Sequence, residues 1–152
     1  MTTITREAAL EALLATLGAA TWGSPATGFG IKTRRNLAPE QMATVGSPGL
    51  ALMVHHEEYE RRALNLPPRR TITVAVAVYV CVGNDFTAIP DAVLNPIKDA
   101  LDVALAPDNH ASGFCTLGGA VAQCGIRGEV IQAPGDKPGY GLAIIPIDLV
   151  LP

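Results

Sequence analysis

The sequence is poor in charged and in aromatic side chains. Only 16% of its residues are Asp, Glu, Lys or Arg, and only 5% are Phe, Trp or Tyr. The formal net charge is -3 at pH 7. This balance argues against a protein that gains its affinity for nucleic acid by neutralising many phosphates. A surface with so little charge favours a protein whose surface is covered by other molecules or by other copies of itself.

Signals for a membrane protein and for a disulfide scaffold are also missing. No apolar run approaches the roughly 18 residues that are needed to cross a bilayer. The first ten residues, MTTITREAAL, carry charges where a signal peptide needs an apolar segment. The cysteines Cys81, Cys115 and Cys124 are odd in number and lack CxxC spacing, which predicts reduced thiols in packed positions. We therefore expect a protein that is made and kept in a cytoplasm, without membrane association.

The sequence lacks the common motifs that bind a nucleotide or a metal ion. Neither GxGxxG nor GxxxxGK[ST] occurs in the glycine-rich part of the N-terminal third. His56 and Glu57 begin an HExxH pattern, but Glu60 stands where the second histidine is required. His55 and His56 are neighbours on a predicted strand and therefore point to opposite faces. We predict no metal site and no cofactor site.

The sequence also offers little for catalysis. Asp108, His110 and Cys115 are the residue types of a nucleophilic triad, but their spacing fixes no geometry and GxSxG is missing. We therefore expect no enzyme and no catalytic residues. A small ferredoxin-like domain that binds a ligand or catalyses a reaction stays open as an alternative, with His55, His56 and Cys115 as its candidate reactive groups.

The stretch 71–82, TITVAVAVYVCV, has no charged residue and no helix or strand breaker. Isoleucine or valine occupies every even position, and this alternation is typical of a pleated strand. The even side is bulky enough to pack against helices. The odd side is flat, with Ala75 and Ala77 at its centre, so another layer can approach it closely. In a chain of this size, the partner on the odd side is expected to be another subunit.

Two helices and three further strands are predicted around this central strand. Thr5 caps a first helix over residues 5–18. Asn95 caps a second helix, which begins at Pro96 and is closed by Pro107. Strands are predicted over 50–61, 118–132 and 140–151, with Pro146 placing the last one at an edge or a bulge. The fold class is α+β: a single domain over residues 1–152 in the order α-β-β-α-β-β. We expect a mainly antiparallel sheet of four strands with both helices on one face.

Two long loops are predicted, over residues 19–48 and 61–70. Loops of this length in a compact domain are usually functional or become ordered on contact. The loops and strand ends carry three arginine pairs, and paired arginines in such positions favour contacts with carboxylates or phosphates. The candidate interaction surface consists of Arg34, Arg35, Arg61, Arg62, Arg69 and Arg70.

Several segments together resemble the tail terminator, or tail completion, proteins of long-tailed bacteriophages. The resemblance covers almost the whole chain. No single segment identifies the family, and the resemblance depends on the order and spacing of the segments. These segments are the N-terminal leucine helix, TVAVAVYV, NPIKDALDVAL, TLGGAVAQCGIRGEV over residues 116–130, and GLAIIPIDLVL at the end. The arginine-rich link 61–70 and the Gly/Pro-rich loop 19–48 depart from the family pattern.

The resemblance implies a structural virion protein that caps the tail tube as a ring, stops tail polymerisation and provides the surface for joining tail to head. It implies a hexamer, with the tail tube protein and a head–tail connector or neck protein as partners. DNA would pass through the ring without sequence-specific binding. The protein would be located in the virion, at the head-proximal end of the tail, after assembly in the host cytoplasm. A neck or head-completion protein, or a tail tube protein, is the alternative in the same setting.

Overall fold

The computed structural model describes residues 4–133 and 138–151 and has mixed α+β architecture. Its helices are α1 (Arg6–Gly18), α2 (Pro39–Met42) and α3 (Pro90–Ala104). Its strands are β1 (Thr21–Trp22), β2 (Thr27–Gly28), β3 (Ile31–Thr33), β4 (Gly49–Glu60), β5 (Arg69–Cys81), β6 (Gln123–Ile126), β7 (Ile131–Ala133) and β8 (Tyr140–Leu151). None of the helices in the described part of the chain has the length and apolarity to cross a membrane.

The main sheet has six strands, and the predicted four-stranded arrangement was wrong. The strands follow the order β3-β4-β5-β8-β6, and β7 pairs with β8 beside β6. All pairings in this sheet are antiparallel except that of β3, which lies parallel to β4. The long strands β4, β5 and β8 form its centre, so the predicted spine at 71–82 does lie between two long partners.

The hydrophobic core lies between α1, α3 and one face of this sheet. The even residues of β5 from Ile72 to Val80 are at most 1% exposed. They pack with leucines of α1, with Leu94, Ile97 and Leu101 of α3, and with the odd residues of β8. Both long helices therefore cover the even face, as the pattern predicted. The opposite face, which carries the odd residues of β5, is called the second face below.

Helix α1 begins where the sequence predicted. The Thr5 side chain accepts a hydrogen bond of 3.1 Å from the amide of Ala8, which satisfies one of the free N–H groups of the first turn. Ala9, Leu13 and Leu17 are completely buried against the core. Burial of this stripe, rather than helix propensity alone, stabilises α1 because isolated helices of this length are marginal in water.

Helix α3 begins six residues before the predicted start. Ile89 is its N-cap and Pro90 its first helical residue, whereas Asn95 and Pro96 lie inside it. A proline inside a helix removes one backbone hydrogen bond. The added turns bring Leu94 into the core, where it is fully buried, and Pro96 itself is exposed. The burial of Leu94 in the core offsets the backbone hydrogen bond that is missing at Pro96. This gain from packing is not visible in the local sequence.

The segment 118–132 is not the single strand that was predicted. It turns at residues 117–119, where Leu117, Gly118 and Gly119 have positive φ, and it pairs only as the short strands β6 and β7. Cys124 is buried as expected and Val121 is buried as well, but Ile126 and Val130 are each 38% exposed. The alternation of residue types continued through a stretch where the backbone leaves the ladder.

Pro146 lies at an interruption of the sheet, in line with its missing N–H. It stands opposite Ala75 of β5. On the other side of β8, strand β6 ends opposite Ile147 and β7 begins opposite Ile144. The carbonyl of Pro146 accepts a hydrogen bond of 3.0 Å from the amide of Arg127. The gap between β6 and β7 therefore accommodates a proline in a strand that is otherwise internal.

Both predicted loops contain regular structure. Segment 19–48 holds β1, β2, β3 and α2, and Trp22 packs edge-on against Phe29 with ring centroids 4.9 Å apart. Segment 61–70 is shorter than predicted, because Arg69 and Arg70 belong to β5 and pair with Glu60 and Tyr59. Residues 61–68 connect β4 and β5 and are all exposed. They are called the arginine tip below.

Candidate interaction surface

Among residues 4–133 and 138–151, the second face is covered only at one end. There, Met42 of α2 packs on Ala51 and Ala77, and all three are at most 2% exposed. The neighbouring row across the sheet is Met53, Ala75 and Pro146, which are half-buried. Ile144, opposite Ala77, is also half-buried. The middle of the second face is thus an apolar surface over which none of the described helices lies.

The other end of the second face is polar. Thr73 donates a hydrogen bond of 2.8 Å to one oxygen of Asp148, and Arg127 approaches the other oxygen at 3.4 Å. Arg69 and Glu60 complete one side of an open cavity of about 410 Å³. Nε of Arg69 is buried there without a hydrogen-bond partner. The cavity combines two guanidinium groups with two carboxylates, so it presents no single sign of charge.

The six predicted arginines do not form one cluster, and Arg34 is already paired. Its guanidinium contacts the carboxylate of Glu7 and lies 3.1 Å from that of Glu11, both on α1. The hydrogen bond to Glu7, followed by that to Glu11, raises the pKa of Arg34. The role of Arg34 in the described structure is therefore to hold the end of β3 against α1. Arg35 is exposed, and its amide bonds to the Thr33 hydroxyl at 3.0 Å.

The remaining arginines lie around the β4–β5 hairpin, but on different sides of it. Arg61 and Arg62 are exposed in the arginine tip, whereas Arg69 and Arg70 are half-buried in β5. Arg69 faces the polar end of the second face. Because neighbouring strand residues point to opposite faces, Arg70 lies on the helix side. Of the predicted surface, Arg61 and Arg62 are the pair that projects beyond the sheet.

An ionic contact that the sequence analysis missed joins α1 to this hairpin. Nε of Arg6 donates to both carboxylate oxygens of Glu57, at 2.8 and 2.9 Å, and Nη2 donates to the hydroxyl of Tyr59. The bond from Arg6 lowers the pKa of Glu57, so this contact stabilises the fold at neutral pH and is lost as the pH falls through that lowered pKa. The partners are 51 residues apart in sequence, and no local pattern signals the contact.

The candidate reactive residues lie in two parts of the structure: the histidine pair in β4, and Asp108, His110 and Cys115 in the segment 108–115. His55 and His56 are exposed neighbours at a bulge of β4, and their ring centroids are 5.2 Å apart. The prediction that they point to opposite faces was wrong, because the bulge interrupts the alternation of the strand. Asp108 accepts hydrogen bonds from the amides of Thr116 and Gly118, at 2.6 and 2.9 Å. These bonds lower the pKa of Asp108 and fix the turn at 116–119. Residues 4–133 and 138–151 contain no group of three His, Cys, Asp or Glu side chains that could hold a metal ion.

Cys115 and Cys124 face each other across an isolated antiparallel bridge. The amide of Cys124 donates to the carbonyl of Cys115 at 2.8 Å, and both thiols are free and buried. Burial, and then the neighbouring Cys115, raises the pKa of Cys124 from 9.0 to about 12. A thiol in this setting stays protonated and is a poor nucleophile.

We predict that Cys124 makes the protein less stable in alkali. Between pH 9.0 and about 12 the unfolded thiol ionises while the folded one stays neutral. The free energy of unfolding should therefore fall by roughly 1 kcal/mol per pH unit in this range. Urea unfolding of Cys124→Ala should show a smaller alkaline loss of stability than the wild type. An equal loss in both proteins would assign the effect to other groups.

No protein-family model matches the chain, and no curated protein matches its sequence.

Proposed function

We propose that the chain is a structural protein of a long-tailed bacteriophage virion, which caps the tail tube as a ring. In this role it stops tail polymerisation and provides the surface for joining tail to head. Its partners are other copies of itself, the tail tube protein and a connector or neck protein. DNA passes through the ring without sequence-specific binding. The resemblance of the sequence segments to tail terminator proteins gives the proposal its specific form.

The observation that carries the proposal is the apolar middle of the second face. Met53, Ala75 and Pro146 form one row of it, and none of them is fully buried within the chain. The small side chain of Ala75 at the centre of that row allows close approach of a second surface, and apolar area removed from water stabilises the contact by about 25 cal/mol per Å². A sheet face of this kind favours a protein that packs against a neighbour.

A charge placed on this face should prevent assembly without unfolding the chain. Arginine at position 75 would extend from the half-buried row of the second face, and its charge would be buried unpaired against a neighbour. Such burial costs at least about 3 kcal/mol, so association should weaken by roughly 100-fold. We expect rings of the wild-type protein in electron micrographs and a higher mass in sedimentation at high concentration. Ala75→Arg should stay monomeric with an unchanged circular dichroism spectrum.

The matched control is Ala15→Arg, which places the same side chain on the exposed side of α1. It should assemble like the wild type. Rings formed equally well by Ala75→Arg would contradict the role of the second face. A wild-type chain that stays monomeric up to millimolar concentration and does not bind tail tubes would contradict the proposed function itself.

A small ligand-binding domain is the second candidate, and the cavity at the polar end of the second face favours it. The cavity of about 410 Å³ has Arg69 and Arg127 beside Glu60 and Asp148, a set that fits a small zwitterion. Thermal unfolding in the presence of a panel of amino acids and related zwitterions discriminates the two candidates. A bound ligand raises the unfolding temperature by mass action, whereas a virion protein should respond only to its protein partners.

A further inference from the structure

Two exposed patches of opposite charge lie at the two ends of the hairpin strand β5. One is the arginine tip, whose residues 61–68 contain two arginines, Arg61 and Arg62, and no acidic residue. The other follows β5 and is called the aspartate patch: Asp85, Phe86, Ile89 and Asp91. Residues 83–97, which contain it, include two aspartates and no basic residue. The chain therefore carries a basic and an acidic surface on the same molecule.

Both patches combine their charge with exposed apolar side chains. Leu64 is 94% exposed and Leu66 57% in the arginine tip, while Phe86 is fully exposed and Ile89 62% exposed in the aspartate patch. Large apolar side chains in such positions contribute to stability only when something covers them. Each patch thus has an apolar centre with charge at its side, which is the usual composition of a protein contact.

The separation of the patches decides the geometry of a contact between copies. β5 extends from Arg69 to Cys81. A strand of this length spans about 40 Å, so the two patches of one chain cannot meet each other. Contact between equal patches would bring arginines against arginines or aspartates against aspartates. Opposite charges meet when the tip of one copy contacts the patch of another, either twice in a two-fold dimer or head to tail, and only repeated head-to-tail contacts generate rings or filaments.

We propose that the arginine tip of one copy docks on the aspartate patch of the next copy. This contact rests on the proposed function, because the tip and the patch are the two different surfaces that a ring of identical subunits needs. The exposed pair Arg61 and Arg62 faces the carboxylates of Asp85 and Asp91, and Leu64 and Leu66 cover Phe86 and Ile89. Salt weakens the attraction between the exposed charges, so association should be stronger at low ionic strength.

A reciprocal charge swap tests the contact. The tip variant is Arg61→Glu with Arg62→Glu, and the patch variant is Asp91→Arg with Asp85→Arg. Each variant alone brings like charges together, so self-association measured by sedimentation should weaken roughly 10- to 100-fold. In an equal mixture every tip finds an opposite charge, and association should return to the wild-type level.

A second patch variant guards against local misfolding. Asp85 accepts bonds of 2.9 and 2.7 Å from the amide and the hydroxyl of Thr87, which its replacement removes. Asp91→Arg alone keeps these bonds. Its self-association should also weaken and recover in the mixture with the tip variant, but by a smaller factor. Circular dichroism and the urea midpoint check that each variant is folded.

The outcomes separate this contact from the proposed function. Loss of association in each variant and its recovery in the mixture supports the contact. Variants that assemble like the wild type overturn the contact between tip and patch, while the ring proposal stands. The arginine tip would then bind an acidic surface of a different protein. Loss without recovery in the mixture also overturns the pairing. A wild-type chain that does not associate under any condition overturns the self-assembly on which both proposals rest.

Discussion

Replacing Leu13 by alanine is expected to lower the free energy of unfolding by about 2–5 kcal/mol. Leu13 is completely buried in the cluster that joins α1 to the sheet and to α3. Alanine removes the apolar contacts of the side chain and leaves a cavity that the surrounding strands can fill only partly. Because domains are stable by only about 5–15 kcal/mol, this single change should shift the urea midpoint strongly.

The control for this change is Leu64→Ala in the arginine tip, where the side chain is 94% exposed. The same atoms are removed, but no cavity forms, so the free energy of unfolding should change by no more than about 0.5 kcal/mol. Equal effects of the two substitutions on the urea midpoint would show that α1 does not pack on the even face of the sheet.

Replacing Gly49 by alanine is expected to displace α2 and to destabilise the protein by about 1–3 kcal/mol. A Cβ atom at position 49 would overlap the carbonyl oxygen of Met42 and lie 2.9 Å from its carbonyl carbon. These are backbone atoms, so no rotation of a side chain relieves the overlap. Met42 would lose its place over Ala51 and Ala77, and the covered end of the second face would open.

Urea unfolding measures the loss of stability, and hydrogen exchange locates it. Amides at the start of β4 and in α2 should exchange faster in Gly49→Ala, while those in the centre of β5 keep their order of protection. The matched control is Gly125→Ala in β6, where an added Cβ has no atom within 4 Å. The free energy of unfolding of Gly125→Ala should be close to that of the wild type. Unchanged exchange around α2 in Gly49→Ala would contradict the close backbone approach.

The long elements of the fold were predictable because their patterns repeat over many residues. The valine alternation of 71–82 predicted a central strand with helices on its even face, and β5 has both properties. The strand predicted over 140–151 is β8, and its odd residues from Ala143 to Leu151 are each at most 2% exposed. The cap at Thr5 and the leucine stripe likewise gave α1 its position. Repetition makes such signals robust to the local context.

The short elements were not predictable, since they depend on partners elsewhere in the chain. β3, β6 and β7 have three to four residues each and exist as strands because β4 or β8 offers them a free edge. The start of α3 was placed wrongly, because Asn95 and Pro96 carry the local signature of a helix start. Tertiary packing of Leu94 outweighs that signature.

Only part of the candidate interaction surface could be predicted from the sequence. The arginine pairs identified the tip at Arg61 and Arg62, but the ion pairs of Arg34 with Glu7 and Glu11 were hidden. The aspartate patch escaped notice, because Asp85 and Phe86 are unremarkable in a loop until the fold shows them exposed at the far end of β5.

By itself, the sequence determined the class of the fold, the central strand and the two faces of the sheet, because side-chain alternation is a local property. Only the tertiary structure decided how many strands join that sheet, where α2 covers the second face, and which arginines project from it. Those features depend on backbone edges, close approaches and ion pairs between residues that are distant in the chain, and no stretch of neighbouring residues contains that information.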